Sequence, residues 1–236
     1  MNRFLRNILA WFIPERCVFC GKVLLPEQVM CPTCRRFLSV VRPPTCLFCG
    51  QRKIDCHCQK RRRHFDAQVA PFYHEGPARS GVLRLKQWND AQAVAYFTQQ
   101  MAAVVYREYD VEDFDGIVFV PMTKRELFAR GYNQGEVLAK ALGKRLGLPV
   151  FDVLKKVYET LPQKELTSIQ RSGNVFGVFD VTEPSVEGKT FLLVDDVMTT
   201  GSTADECAKM LKIYGAGRVM CVTLATCRFK EEEDES

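Results

Sequence analysis

An α/β fold with a mainly parallel central sheet flanked by helices, preceded by a small cysteine-rich module, is what this sequence predicts. Three observations carry that expectation. From residue 65 onward, apolar runs of strand length alternate with helical patterns, as parallel strands joined by crossover helices require. One such run, Phe191–Val194, passes directly into Asp195-Asp196 and a turn rich in Thr, Gly and Ser at the mouth of a helix. Eight of the 11 cysteines are crowded between Cys17 and Cys58.

The 236 residues suit one medium domain and one smaller one. The expected division is 1–64 for an N-terminal helix and cysteine module, 65–230 for the α/β domain, and 231–236 for an acidic tail. In Met1–Pro14, Leu5, Ile8, Leu9 and Phe12 share one helical face. Arg6 and Asn7 interrupt the apolar run and no small-residue cleavage site follows, so this segment reads as a helix packed on the next module rather than a signal peptide. No run approaches the ~20 apolar residues of a membrane span. A cytoplasmic protein without stable membrane insertion is expected, with peripheral contact at the membrane left open. Charge is uneven: residues 1–64 hold 13 Lys/Arg against 3 Asp/Glu, whereas the remainder is balanced apart from its acidic end.

The cysteines fall as Cys17-x2-Cys20, Cys31-x2-Cys34, Cys46-x2-Cys49 and Cys56-x-Cys58. Each tight pair presents two thiolates to one tetrahedral ion, so two structural Zn2+ ions account for all eight. Sequential pairing is the natural one; the spacing also permits an interleaved arrangement. A disulfide framework is the alternative, but no secretion signal accompanies the cysteines. His57 lies between two ligands as a bystander. Four-thiolate zinc has no open coordination position and therefore no catalytic role. After the last cysteine come Lys60, Arg61, Arg62, Arg63 and His64. They read either as a solvated linker or, with Arg35, Arg36, Arg42, Arg52 and Lys53, as a phosphate-backbone track for single-stranded nucleic acid. Phe37 or Phe48 would then serve as stacking platforms.

In the second domain a strand is expected over Ala67–Tyr73, then a long, interrupted helix from Arg79 to about Tyr109. Lys86 and Trp88 interrupt its first part. A strand Gly116–Val120 follows, then a helix Asn133–Leu146 with Asn133 as its cap. Further strands are expected at Val150–Val157, Val175–Val181, Phe191–Val194 and Arg218–Ala225. A last helix runs from near Thr203 to Tyr214, with Gly215 as its stop.

Three segments carry candidate chemistry. Thr199, Thr200, Gly201, Ser202 and Thr203 occupy a strand-to-helix turn, where amides, hydroxyls and the positive helix end favour a phosphate. Asp195 and Asp196 beside it could accept bonds from sugar hydroxyls or hold hydrated Mg2+. Met122, Thr123, Lys124, Arg125 and Arg130 follow the strand Gly116–Val120 and taken alone read as an ordinary basic turn, with arginines able to bind phosphate bidentately. The polar stretch 158–174, with Gln163, Leu166, Arg171 and Asn174, reads as a flap over bound ligand, against the plainer reading of a surface loop.

Phe191–Thr203 resembles the ribose-phosphate signature of type I phosphoribosyltransferases, which bind phosphoribosyl pyrophosphate (PRPP). That resemblance implies that the two acids hold the ribose and Mg2+, that residues 199–203 wrap the 5′-phosphate, and that residues 122–125 and 130 form the pyrophosphate loop. The cysteine pairs, Leu85-Lys86, Arg130-Gly131-Tyr132-Asn133-Gln134, Gln163-x2-Leu166-x4-Arg171-x2-Asn174 and Val194-Asp195-Asp196-Val197-x-Thr199-Thr200-Gly201-x-Thr203 occur in the order seen in the ComF family. The sequence departs from that family at Thr123-Lys124, often His-Pro, and at Gln87-Trp88-Asn89, commonly Phe/Tyr-Arg-Gly. The resemblance implies a bacterial competence protein acting on single-stranded DNA in natural transformation beside a ComFA-like helicase. It leaves a homodimer open. A salvage phosphoribosyltransferase for nucleobases or nucleotides, and a PRPP sensor without chemistry, are the other readings. No residue stands out as a catalytic group or as a determinant of an acceptor base.

Overall fold

The computed structural model describes residues 15–56, 58, 62–157, 179–182 and 186–228. The expected N-terminal helix, His57, Lys60, Arg61, the flap residues Gln163, Leu166, Arg171 and Asn174, and the acidic tail lie outside them.

The main sheet is parallel throughout. Its strands are β1 (Ala67–Val69), β2 (Phe72–Tyr73), β3 (Gly116–Phe119), β4 (Val150–Phe151), β7 (Thr190–Met198) and β8 (Arg218–Thr226), in the order β1-β8-β7-β3-β4 with β2 also on β8. A second, antiparallel pair joins β5 (Leu154–Lys156) to β6 (Phe179–Val181). Phe191 to Val194 on β7 are at most 1% exposed, which is why the run is apolar on both faces. Burying each such side chain contributes ~1.5–3 kcal/mol. From β3 the chain goes to β4 on one side and later returns to β7 on the other. The carboxyl ends of β3 and β7 therefore flank the point where strand order reverses, the place where open α/β sheets hold ligands.

Six helices are described: α1 (Pro32–Phe37), α2 (Gly76–Gln87), α3 (Ala91–Glu108), α4 (Lys124–Arg130), α5 (Gln134–Leu146) and α6 (Ser202–Ile213). The structure corrects several expected boundaries. The long helix from Arg79 is two helices, because the Asp90 carboxylate accepts from the amides of Gln92 and Ala93 and starts α3 afresh. The strand expected over Ala67–Tyr73 is split at Ala70-Pro71, since proline has no N–H for the ladder. Residues 150–157 serve two different sheets rather than one strand. β7 continues past Val194 through both acids to Met198.

The cysteine module is sealed onto this domain. Phe19, fully buried in the first knuckle, packs against Phe72, Tyr96 and Phe97 with ring centroids 5.8, 5.8 and 5.5 Å away. Residues 39–41 run antiparallel along β2, with Val41 N–H donating to the Pro71 carbonyl and Tyr73 N–H to that of Ser39. Near the second cysteine cluster, Gln68 donates to the Cys49 carbonyl and Gln51 to the Cys227 carbonyl. Asp55 gathers donors from both parts. It accepts from Arg52 at 2.8 and 3.0 Å, from the Tyr73 hydroxyl at 2.7 Å and from Arg228 at 3.1 Å.

The Arg52 and Tyr73 bonds hold the Asp55 carboxyl well below the usual carboxylate range. A depressed folded-state value means that this stabilisation is complete above ~pH 4 and is lost as pH falls further. Asp55→Asn is accordingly expected to cost ~1 kcal/mol at pH 7 and to converge with the wild type towards pH 2. Urea midpoints measured across that range check this; a constant difference would contradict it.

Candidate phosphate and sugar site

The site is built where β3 and β7 end. Register sets Val194 beside Phe119, and the Val120 amide donates to the Val194 carbonyl at 3.0 Å. Asp195 and Asp196 are the next residues on β7, so both carboxylates stand at the crevice. Asp195 carries the hydrogen bond from the Asp196 amide at 2.8 Å. Burial, reinforced by the Asp196 charge, raises its carboxyl, and the Asp196 amide and Lys86 oppose the shift without cancelling it. Asp196 pairs with Lys86 Nζ at 2.8 Å.

The sequence marks Lys86 as an interruption of the expected long helix and as part of the Leu85-Lys86 motif, with no role in the site. The structure brings it to the acids because α2 stops at Gln87. The Tyr132 hydroxyl donates to the Leu85 carbonyl and fixes that end. Two separated motifs thus meet at one corner. His74 is held below its ordinary pKa by burial and by the charges of Lys86 and Arg79, which marks this edge of the crevice as cationic.

Past Met198, residues 199–201 turn into α6. Gly201 is left-handed at φ 82° and forms the N-cap with no side-chain hydrogen bond to the first turn. A Cβ there would be strained by the backbone angle. The Thr200 and Ser202 hydroxyls lie 2.9 Å apart, and the Ser202 amide donates to Thr200 Oγ1 at 3.3 Å. Gly201 offers no side chain to cap the amides that follow Ser202 in the first turn of α6, which suits them to an anion. Thr199, Thr200, Ser202 and Thr203 are exposed and Gly201 is buried.

The expected pyrophosphate loop takes a different shape from a plain basic turn. Thr123 is the N-cap of α4 in a capping box. Its hydroxyl accepts from the Glu126 amide, and Glu126 accepts from the Thr123 amide. Lys124 and Arg125 thereby become exposed first-turn residues, Met122 is half-buried beside them, and Lys156 pairs with Glu126 at 3.1 Å. Thr123-x2-Glu126 was the signal in the sequence for this helix. Arg130 donates to Gln134 at 3.0 Å, across the left-handed Gly131 that ends α4. Asn133 caps α5 and donates to the Val120 carbonyl at 3.0 Å. The Arg130–Gln134 motif therefore ties the end of β3 to both helices.

Each cysteine group converges in sequential pairing. Cys17, Cys20, Cys31 and Cys34 form one cluster, and Cys46, Cys49, Cys56 and Cys58 the other, with all donor atoms of a cluster within 4.8 Å of one another. Sulfur separations of 3.7 Å (Cys20–Cys31), 3.6 Å (Cys49–Cys56) and 3.3 Å (Cys56–Cys58) are close to the ~3.8 Å edge of a tetrahedron of Zn–S bonds. Amides of Cys31 and Cys34 donate to Cys17 and Cys31 sulfurs, as they would to thiolates. The donor sets suit structural zinc.

Arg52 is engaged with Asp55. Lys53 and Arg62 are exposed. Phe37 is 60% exposed with Arg36 over its ring at 5.5 Å, and Phe48 is half-buried. Arg63 instead reaches the turn before α6, donating to the Thr200 carbonyl at 2.6 Å. Among the described residues no helix is long and apolar enough to cross a membrane.

Residues 132–236 match the family described as the phosphoribosyl transferase domain. Over 91% of its length the chain is 26% identical to Competence protein F of Haemophilus influenzae, covering 98% of that protein. It is 30% identical to the DNA utilization protein YhgH of Salmonella typhimurium, over 88% of this chain and 90% of that one. With Competence protein ComFC of Bacillus subtilis the identity is 25%, covering 86% of both chains.

Proposed function

This chain belongs to the ComF family of competence proteins, and from that premise we propose that its crevice binds PRPP with Mg2+ and that the protein supports the handling of incoming single-stranded DNA. The observation that carries the binding half is the juxtaposition, at the reversal point of the sheet, of Asp195-Asp196 with an uncapped, hydroxyl-rich helix start. Asp195 and Asp196 would hold the ribose hydroxyls and Mg2+, and residues 199–203 the 5′-phosphate. Lys124, Arg125 and Arg130 would meet the diphosphate, which two charged groups on a short ester require. Lys86 would then exchange its Asp196 partner for the ligand's own charge. Zn2+ in the two cysteine clusters would be structural.

The DNA half is supported by the names of the relatives, which speak of competence and of DNA utilization, and by the excess of 13 Lys/Arg over 3 Asp/Glu in residues 1–64. A ComFA-like helicase is the protein partner proposed with it. Pyrophosphate release in a screen of bases and nucleotides decides between an enzyme and a PRPP sensor. Thr200→Ala/Thr203→Ala is expected to weaken PRPP binding at least ~10-fold by calorimetry, since two hydroxyl donors to a charged phosphate are removed. Unchanged affinity would sink the assignment of this turn. In cells, the same variant should lower transformation and leave base salvage intact; the reverse pattern favours the salvage enzyme.

A further inference from the structure

We propose that Arg63, on the segment leaving the second cysteine cluster, is the cation of the 5′-phosphate subsite, held over the turn by His64. This deepens the PRPP reading and rests on it. The argument begins from what the turn lacks. Residues 199–203 contain no Lys or Arg, and the first turn of α6 carries Asp205. A phosphate monoester brings a charge of about −2 at pH 7, while a helix end offers only about +0.5. A carboxylate in the first turn works against such a ligand unless it is occupied.

The linker meets both needs. His64 donates its amide to Asp205 Oδ1, and its Nδ1 lies 3.1 Å from Asp205 Oδ2, so Asp205 is engaged from the linker side. The Arg63 guanidinium donates to the Thr200 carbonyl at 2.6 Å and lies 3.5 Å from where a Cβ on Gly201 would stand. Its face sits 5.8 Å from the Phe65 ring, which is buried beside Met198 and Ala204. The segment is pinned further on: Asp66 pairs with Lys212 at 2.8 Å, and its Oδ2 accepts the Val219 amide at 2.8 Å. Arg63 is thus a placed residue. A guanidinium has five N–H donors in a fixed fork, and the bond to Thr200 uses one of them. The remainder are suited to two phosphate oxygens, a geometry that lysine matches only as a point charge.

One consequence is a physical link between the zinc module and the pocket. Arg63 is five residues beyond Cys58 in the sequence, so the cation offered to the turn comes from the residues that follow a cysteine of the second cluster.

The test uses the full, zinc-loaded chain and three probes in calorimetry: ribose 5-phosphate, PRPP with Mg2+, and pyrophosphate with Mg2+. Arg63→Ala is expected to weaken the first two ~10-fold or more and to leave pyrophosphate within about twofold. Arg63→Lys should recover part of the loss, and His64→Ala should show a smaller loss with the same selectivity. Arg63→Gln, which keeps a donor without the charge, serves if the alanine variant has a lowered melting midpoint. Equal weakening of all three probes would mean a merely structural role and overturn the proposal, as would unchanged ribose 5-phosphate affinity. A wild type that binds none of the probes would remove the PRPP reading itself; a wild type that binds PRPP while Arg63→Ala binds equally well would remove this inference alone.

Discussion

Chelating the zinc, or replacing Cys17 and Cys20 by serine, is expected to lower the melting midpoint of the whole protein by more than ~10 °C. Four-thiolate zinc contributes on the order of 10 kcal/mol to the segment it organises, comparable with the entire stability of a domain. The effect should not stay local. Cys17, Val18 and Phe19 are fully buried in the same core cluster as Phe97 and Met101, so opening the first knuckle withdraws Phe19 from three aromatic partners. Two zinc ions per chain by elemental analysis, and a midpoint that falls as they are removed, are the expected results. A metal-free protein melting at the same temperature would show that the thiols pack without an ion.

Asp195→Asn is expected to separate stability from binding. The Asp195 carboxyl is pushed up, to about 7, by burial and by the Asp196 charge, whereas in the unfolded chain it titrates near ~3.9. Between those values the folded state binds the extra proton, so stability falls as pH rises through that window. The asparagine variant escapes this loss. At pH 8 it should be more stable than the wild type by ~1 kcal/mol or more, with the difference shrinking as pH falls below about 7 and gone by ~pH 4. The same change removes a negative acceptor for the ribose and Mg2+ and should weaken PRPP with Mg2+ about 100-fold or more. A variant that is destabilised at pH 8 would show that Asp195 is stabilised as an anion by the fold itself.

The functional residues differ in how openly the sequence displayed them, and distance along the chain explains the difference. The strand β7, its two acids and the turn after it are contiguous, so apolar length and turn chemistry suffice to place them. The cysteine clusters were legible for the same reason, although only folding chose sequential pairing. Thr123 and Glu126 formed a readable capping box, yet the basic residues around them drew attention to charge rather than to helix initiation. Lys86 and Arg63 are another matter. Each meets its partner across more than a hundred residues, Arg63 across 137, and no local pattern encodes such a meeting. Lys86 reaches Asp196 because Asp90 restarts the helix, and Arg63 reaches Thr200 because His64 and Asp66 anchor the linker. Both belong to runs that looked like interruptions or solvated charge.

The central claim is that the crevice at the ends of β3 and β7 is a PRPP site, and calorimetric titration of the wild-type chain with PRPP, with and without Mg2+, tests it most directly. The account predicts saturable one-to-one binding below millimolar PRPP that strengthens when Mg2+ is present. No heat of binding at millimolar PRPP with Mg2+ would contradict it.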